Sequence, residues 1–168
     1  AGLMGHGIAQ VSAAAGKQVT LSDRTLELAE QGKQRIGANL ERQVAKGRLD
    51  RAEADAILDR IGTSAGPEGA AGHQIVIEAI FEDEQLKRET WEQLGQAADP
   101  DAVLGSNTSS ISITSLATAT DRPARFIGLH FFSPVPVMKL IEIIRGLETD
   151  DATYDASRAF ARELGKEV

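Results

Sequence analysis

Short apolar runs alternate along this chain with longer stretches in which apolar residues recur at helical spacing. The runs at 74–80 and 103–106 are nearly continuous, which is typical of strands covered on both faces. A shorter run at 18–22 predicts a further strand, and a helix over 3–15 precedes it. Strand–helix alternation of this kind predicts an α/β fold with a doubly wound sheet.

The alternation is interrupted after the first predicted strand. A helix that begins after Thr25 and ends at Gly47 is followed at once by a second helix over 49–58. Residues 61–64 then predict another short strand. The sequence therefore predicts a helical hairpin inserted between two strands.

A β-hairpin is predicted near the end of the chain. Residues 126–131 and 140–144 are rich in aromatic and β-branched residues, and prolines lie between them. Because proline cannot donate to a strand ladder, these prolines mark the bend. A hairpin centred on Pro136 places His130 opposite Glu142.

These facing side chains form a candidate catalytic pair. Glu142 lies in an apolar segment, where an ionised carboxylate is costly unless another group pairs with it. Histidine is a natural partner, and an imidazole oriented by a carboxylate can serve as a general base. On these residues alone, a purely structural ion pair is an equally good interpretation.

Composition and charge exclude several functions. The 168 residues suit one domain, and a net charge of −7 argues against a nucleic-acid-binding surface. The chain has no cysteine, and His6, His73 and His130 show no metal-ligand spacing, so no metal site is expected. No apolar run approaches membrane-spanning length, and we expect a cytoplasmic protein with no membrane partner.

The chain begins with residues that match the last five positions of a G-x-G-x-x-G turn. Glycines in such a turn let the backbone approach a pyrophosphate, and the helix that follows presents N–H groups to it. Asp23 closes the next strand, where an acid meets the ribose hydroxyls and favours NAD over NADP. The alternative is an ordinary glycine-rich helix start and a turn aspartate. The pattern predicts a Rossmann-type NAD site formed by Gly2, Leu3, Met4, Gly5 and Asp23, with His6 exposed in the turn.

Both ends of the sequence look cut. The glycine turn lacks its first glycine and the strand before it, and residues 164–168 look like the start of a new strand. We therefore expect a domain truncated at both ends, without the first strand of its sheet.

Four segments, in this order, resemble the NAD-binding domain of L-3-hydroxyacyl-CoA dehydrogenases, and the bacterial 3-hydroxybutyryl-CoA type most. They are residues 1–9, 77–82, 106–110 and 128–142. This family of fatty-acid β-oxidation oxidises the C3 hydroxyl of a 3-hydroxyacyl-CoA and passes hydride to NAD. The resemblance implies that 1–168 is the NAD-binding domain, with an acyl-CoA substrate. It also implies that a C-terminal helical domain, through which family members usually form homodimers, is absent from this chain.

The resemblance also implies roles for individual residues. His130 takes the hydroxyl proton, Glu142 orients its ring, and Ser109 hydrogen-bonds the reacting oxygen. The residues implied to contact the cofactor are Ala79, Ile80, Glu82, Lys87 and Asn107. Ser133, where many members have asparagine, is an implied substrate contact, and Lys46 is implied near the CoA phosphates. From the residues alone, Ser109 would be a loop or cap residue, and the two lysines solvated charges.

Two other functions remain open from the sequence. One is a dinucleotide-binding module without catalysis, in which the pair at 130 and 142 is structural. The other is a different NAD-dependent β-hydroxyacid dehydrogenase, although such enzymes generally rely on a lysine from a later helix. Residues 1–168 alone are expected to be inactive.

Overall fold

The computed structural model describes all 168 residues, which cluster into two compact units. The first unit comprises Ala1–Gly69 and Ser133–Val137, and the second comprises Ala70–Phe132 and Met138–Val168. Each unit has its own sheet and its own hydrophobic core. The predicted α/β class is confirmed, but the strands form two hydrogen-bonded sheets instead of one.

The first unit is a two-stranded parallel sheet with three helices packed against it. Its elements are α1 (Leu3–Ala14), β1 (Val19–Asp23), α2 (Leu26–Ala45), α3 (Arg51–Asp59) and β2 (Ile61–Ala65). The Thr25 hydroxyl accepts a hydrogen bond from Leu28 N at the start of α2, and Gly47, at φ +64°, lies just beyond its end. The predicted helical hairpin is therefore confirmed.

The core of this unit explains why its elements form. Apolar residues recur at helical spacing on α2 and α3, and they meet the small residues of α1 and the strands. The buried cluster consists of Ala9, Ala13, Leu21, Ile36, Leu40, Ala54, Ile57 and Ile61. Full burial of one large aliphatic side chain stabilises the fold by roughly 1.5–3 kcal/mol.

The second unit is a four-stranded sheet with three helices. Its elements are β3 (Ile75–Glu78), α4 (Glu84–Ala97), β4 (Val103–Ser106), α5 (Ile113–Ala117), β5 (Phe126–Phe131), β6 (Ile141–Arg145) and α6 (Asp151–Glu163). The strand order is β3-β4-β5-β6, with β6 antiparallel to β5 and the other pairs parallel. Side chains of Asp83, Ser112 and Asp150 cap the helices that follow them.

The core of the second unit is centred on Trp91, which lies on the apolar face of α4 and is fully buried. Its ring meets the edge of Phe126, with ring centroids 4.8 Å apart. All four residues of β4 are buried, which confirms that prediction.

The strand predicted over 74–80 is shorter than expected. It covers only Ile75–Glu78, and its first three residues are half-buried because β3 is an edge strand. The Glu78 carboxylate accepts a 2.9 Å hydrogen bond from Ile80 N, so the Ile80 N–H is not available to pair with a neighbouring strand. The chain therefore leaves the sheet at Ala79.

The predicted C-terminal hairpin has the expected register. In β5 and β6, His130 pairs with Glu142 and Phe131 pairs with Ile141, which centres the hairpin on Pro136. Near the end of the chain, Glu167 forms a single parallel bridge with Leu140. No helix in the structure combines the length and apolar character needed to span a membrane.

Candidate active site

The glycine turn at the start of α1 leaves open space above its backbone. A Cβ placed on Gly2 or Gly5 would meet no atom within 4 Å. No side chain caps α1, and its first turn carries no acidic residue. An anion could therefore accept hydrogen bonds from the first-turn N–H groups, and this part of the chain fits a pyrophosphate.

His6 differs from its predicted exposure. Its residue is only 9% exposed, and its Nδ1 lies 2.7 Å from the carbonyl oxygen of Gly2. Because a carbonyl only accepts, Nδ1 is the donor. His6 therefore stabilises the glycine turn through this hydrogen bond to Gly2, four residues before it in the chain.

Asp23 is the last residue of β1, as predicted. Its carboxylate accepts a 2.7 Å hydrogen bond from Arg24 N. An ionised carboxylate here fits ribose hydroxyls and would repel an added phosphate.

In the second unit, His130 and Glu142 form the predicted pair. The distance from His130 Nδ1 to Glu142 Oε2 is 2.8 Å, and the imidazole also lies against the Phe132 ring, 4.6 Å between centroids. An ionised carboxylate is only an acceptor, so Nδ1 carries the hydrogen and Nε2 of the neutral ring carries the lone pair. No hydrogen bond in the structure uses Nε2, which leaves it free to act as a base.

The apolar neighbours of Glu142 in sequence do not bury it. Its side chain is 53% exposed, because β6 is an edge strand, whereas the His130 side chain is 18% exposed. An ion pair with one partner this exposed contributes about 0–1 kcal/mol to stability. The pairing is therefore as predicted, but the hairpin does not depend on it for stability.

The Glu82 carboxylate accepts hydrogen bonds from residues that follow β4. Its Oε1 lies 2.6 Å from Thr108 Oγ1, and it accepts from Ser109 N at 2.8 Å and Ser109 Oγ at 3.1 Å. Partial burial would raise the pKa of Glu82, but these hydrogen bonds and the Lys87 ammonium lower it to about 2. Glu82 therefore stays ionised and fixes the Ser109 backbone.

Asn107 connects the carboxyl ends of three strands. Its N–H donates to Glu78 O at 2.8 Å, and its Oδ1 accepts from Phe131 N at 2.8 Å. The second contact orients the amide, so its NH₂ group faces away from Phe131 and remains a free donor.

Lys87 is not the solvated charge that the residues alone suggest. It is fully buried, with Nζ 2.5 Å from Glu78 Oε1, 3.4 Å from Ile80 O and 3.6 Å from Glu82 Oε2. The ammonium is enclosed by these protein atoms. Any influence of Lys87 on the site therefore passes through its three neighbours.

Glu78 is the site residue that sequence reasoning missed. It is 3% exposed, and its Oε2 accepts from Ser106 Oγ at 2.8 Å and Trp91 Nε1 at 3.2 Å. Its position inside an apolar run was the available signal, because a carboxylate in such a run needs partners.

The remaining predicted residues lie apart from these contacts. Ser133 and Lys46 are both exposed and belong to the first unit, and Lys46 is at the C-terminal end of α2. Ala79 and Ile80 lie in the segment between β3 and α4. Ala79 is half-buried, and Ile80 is 38% exposed. No three His, Asp or Glu side chains are grouped to hold a metal ion.

Comparison with known families gives a match over residues 1–168. The matching family is described as "3-hydroxyacyl-CoA dehydrogenase, NAD binding domain". This chain is also 46% identical over 168 residues to a 3-hydroxybutyryl-CoA dehydrogenase of Bradyrhizobium diazoefficiens, a match that covers 100% of this chain and 57% of that protein.

Two crystal structures have the same fold. That of M. tuberculosis FadB2 matches with a TM-score of 0.96 at 45% identity, over 100% of this chain and 60% of that one. That of (S)-3-hydroxybutyryl-CoA dehydrogenase PaaH1 from Ralstonia eutropha matches with a TM-score of 0.95 at 42% identity, over 98% and 58%. The present chain thus spans little more than half the length of these relatives, and the Rossmann-type prediction is confirmed.

Proposed function

Because the chain belongs to the 3-hydroxyacyl-CoA dehydrogenase family through its NAD-binding domain, we propose that the protein containing it oxidises 3-hydroxyacyl-CoA to 3-oxoacyl-CoA. The observation that carries this proposal is the 2.8 Å contact between His130 Nδ1 and Glu142, which leaves Nε2 with a free lone pair. The reaction removes a proton from the C3 hydroxyl and a hydride from C3, and it therefore needs one base and one hydride acceptor.

His130 is the base. Its Nε2 takes the hydroxyl proton as C3 becomes a carbonyl carbon, and the ring becomes an imidazolium. Glu142 keeps the hydrogen on Nδ1, so that Nε2 faces the substrate with its lone pair, and it then stabilises the positive ring. His130 Nε2 returns this proton to the C3 oxygen when the reaction runs in reverse.

Ser109 and Asn107 supply the polar contacts near the reacting carbon. The Ser109 hydroxyl, 3.1 Å from Glu82 Oε1, turns to donate to the substrate C3 oxygen. The free amide donor of Asn107 serves the ribose beside the nicotinamide. The backbone around Ala79 and Ile80 lines that side of the cofactor.

The first unit carries the other proposed contacts to NAD. The turn at Gly2, Leu3, Met4 and Gly5 binds the pyrophosphate, and Asp23 binds the adenosine ribose. When bound, NAD supplies the hydride acceptor. The ionised Asp23 disfavours NADP at this position.

The substrate is proposed to be bound largely by the rest of the full-length protein. The relatives extend well beyond the length of this chain, and we assign the acyl pocket and the homodimer contact to that part. Within the chain, Ser133 and Lys46 are proposed as contacts for the thioester side and the CoA phosphates.

Turnover of acetoacetyl-CoA with NADH by the full-length protein tests this function. NADH absorbance should fall only when the CoA ester is present. When NADPH replaces NADH, its absorbance should fall much more slowly. A 3-hydroxy acid without CoA, offered with NAD, tests the other class of dehydrogenase. Turnover of that acid without turnover of the CoA ester would contradict the proposal.

A further inference from the structure

A buried ion pair lies where β3 gives way to α4. Glu78 and Lys87 are 3% and 0% exposed, and 2.5 Å separates Glu78 Oε1 from Lys87 Nζ. Burying two charges lowers stability unless their partners compensate for the lost hydration. Replacing a buried ion pair with well-packed apolar side chains often leaves the protein equally stable. Neither residue moves a proton or hydride in the proposed reaction, so the pair needs a different explanation.

The pair holds the backbone of Ile80 from both sides. Ile80 N donates to Glu78 Oε1 at 2.9 Å, and Lys87 Nζ donates to Ile80 O at 3.4 Å. The next residue, Phe81, is 80% exposed, so apolar burial does little to fix this segment. The position of the segment therefore depends on the buried charges.

The Glu78 carboxylate is itself fixed from two other elements. Its Oε2 accepts from Trp91 Nε1 on α4 and from Ser106 Oγ on β4. With Lys87 and Ile80 on Oε1, both oxygens are occupied by donors. A carboxylate held in this way has little freedom to rotate, and it transmits the geometry of the sheet to Ile80.

Lys87 extends the arrangement to Glu82. Its Nζ lies 3.6 Å from Glu82 Oε2, while the other oxygen of Glu82 holds Thr108 and Ser109. One ammonium therefore links the segment after β3 with the segment after β4.

We propose that Glu78 and Lys87 are positioning residues that set the Ile80 backbone and the Glu82 carboxylate for the nicotinamide half of the cofactor. The inference rests on the proposed function, which places the nicotinamide beside these two segments. It predicts that uncharged replacements disturb NADH binding more than they disturb folding.

The test uses the full-length protein and the double substitution Glu78→Gln with Lys87→Met. The double variant removes both charges together, so no lone charge is left buried. We expect the dissociation constant for NADH, followed by its fluorescence, to rise on the order of tenfold to a hundredfold.

Thr149→Val is the matched control for lost stability. The Thr149 hydroxyl is buried and donates to Phe126 O at 2.6 Å, at the opposite end of β5 from His130. This variant should melt at a lower temperature and bind NADH like the wild type. A double variant that behaves as this control does would overturn the inference and make the pair purely structural.

Ser106→Ala provides an independent measurement. It removes one donor from the Glu78 carboxylate and keeps both charges, and we expect a several-fold weaker affinity for NADH. Should circular dichroism show that the double variant is unfolded, this variant decides: wild-type affinity would refute the inference. A wild type that binds NADH without reducing acetoacetyl-CoA would contradict only the proposed function, because NADH affinity still judges the positioning role.

Discussion

At the scale of single residues, Glu142 acts through its charge. It is half-exposed, and its 2.8 Å contact with His130 contributes little to stability. Replacing it with glutamine keeps the shape and removes the charge that would stabilise an imidazolium. We expect Glu142→Gln to lower kcat about a hundredfold while the melting temperature is unchanged. Steady-state kinetics check this, with Glu148→Gln as an exposed control, and a kcat within twofold of wild type would contradict it.

Glu82 makes stability depend on pH in a defined direction. Its pKa is lowered from 4.5 to about 2 in the folded protein. A lowered carboxyl pKa means that the contribution of Glu82 to stability is complete above about pH 4.5 and is lost as the pH falls toward 2. The free energy of unfolding of wild type should therefore fall more steeply over this range than that of Glu82→Gln.

Denaturant unfolding at a series of pH values measures this difference. Glu92→Gln, on the exposed face of α4, is the control and should keep the wild-type slope. Parallel curves for wild type and Glu82→Gln would show that Glu82 gains nothing from Thr108 and Ser109.

At the scale of elements, close strand contact at Gly128 gives a sharp prediction. A Cβ there would lie 2.9 Å from Ile113 Cδ1 and 2.9 Å from Ile144 Cβ, inside the core of the second unit. The Ile144 Cβ is next to the backbone and cannot swing away, so we expect Gly128→Ala to destabilise the protein by about 1–3 kcal/mol.

Gly37→Ala is the matched control for Gly128→Ala. A Cβ on Gly37, inside α2, would meet only Leu58 at 3.8 Å and 3.9 Å, which is ordinary contact. Because alanine also favours a helix, this change should stabilise by roughly 0.5–1 kcal/mol. Thermal unfolding of both variants decides, and equal effects at the two glycines would contradict the account.

Most element positions were predictable because local signals agreed with the tertiary structure. The cap at Thr25 and the hairpin centred on Pro136 depend on nearby residues, and each is found where expected. The division of the strands into two sheets depends on which strands pair, and no local pattern encodes that.

The candidate site was predictable only in part. The His130–Glu142 register follows from strand alternation, whereas the burial of Lys87 depends on the distant carboxylate of Glu78. A helical stripe that includes Lys87 and Trp91 was a usable signal, because the two residues are one turn apart on α4. The hydrogen bond from Ser109 to Glu82 joins residues 27 positions apart, and the order of residues in the sequence does not reveal it.

At the scale of the whole molecule, the chain covers 57% of one relative and 60% of another. We place the acyl pocket in the part of the full-length protein outside these 168 residues. Residues 1–168 expressed alone should therefore show no turnover of acetoacetyl-CoA with NADH. Turnover by this chain alone, at a rate near that of the full-length protein, would contradict the proposed division of labour.

The most direct measurement of the central claim is the effect of His130→Gln in the full-length protein. The account predicts that kcat for acetoacetyl-CoA falls about 10²–10⁴-fold, the usual contribution of a general acid–base group, while the dissociation constant for NADH stays at the wild-type value. A variant that still reduces acetoacetyl-CoA at the wild-type rate would contradict the assignment of His130 as the base.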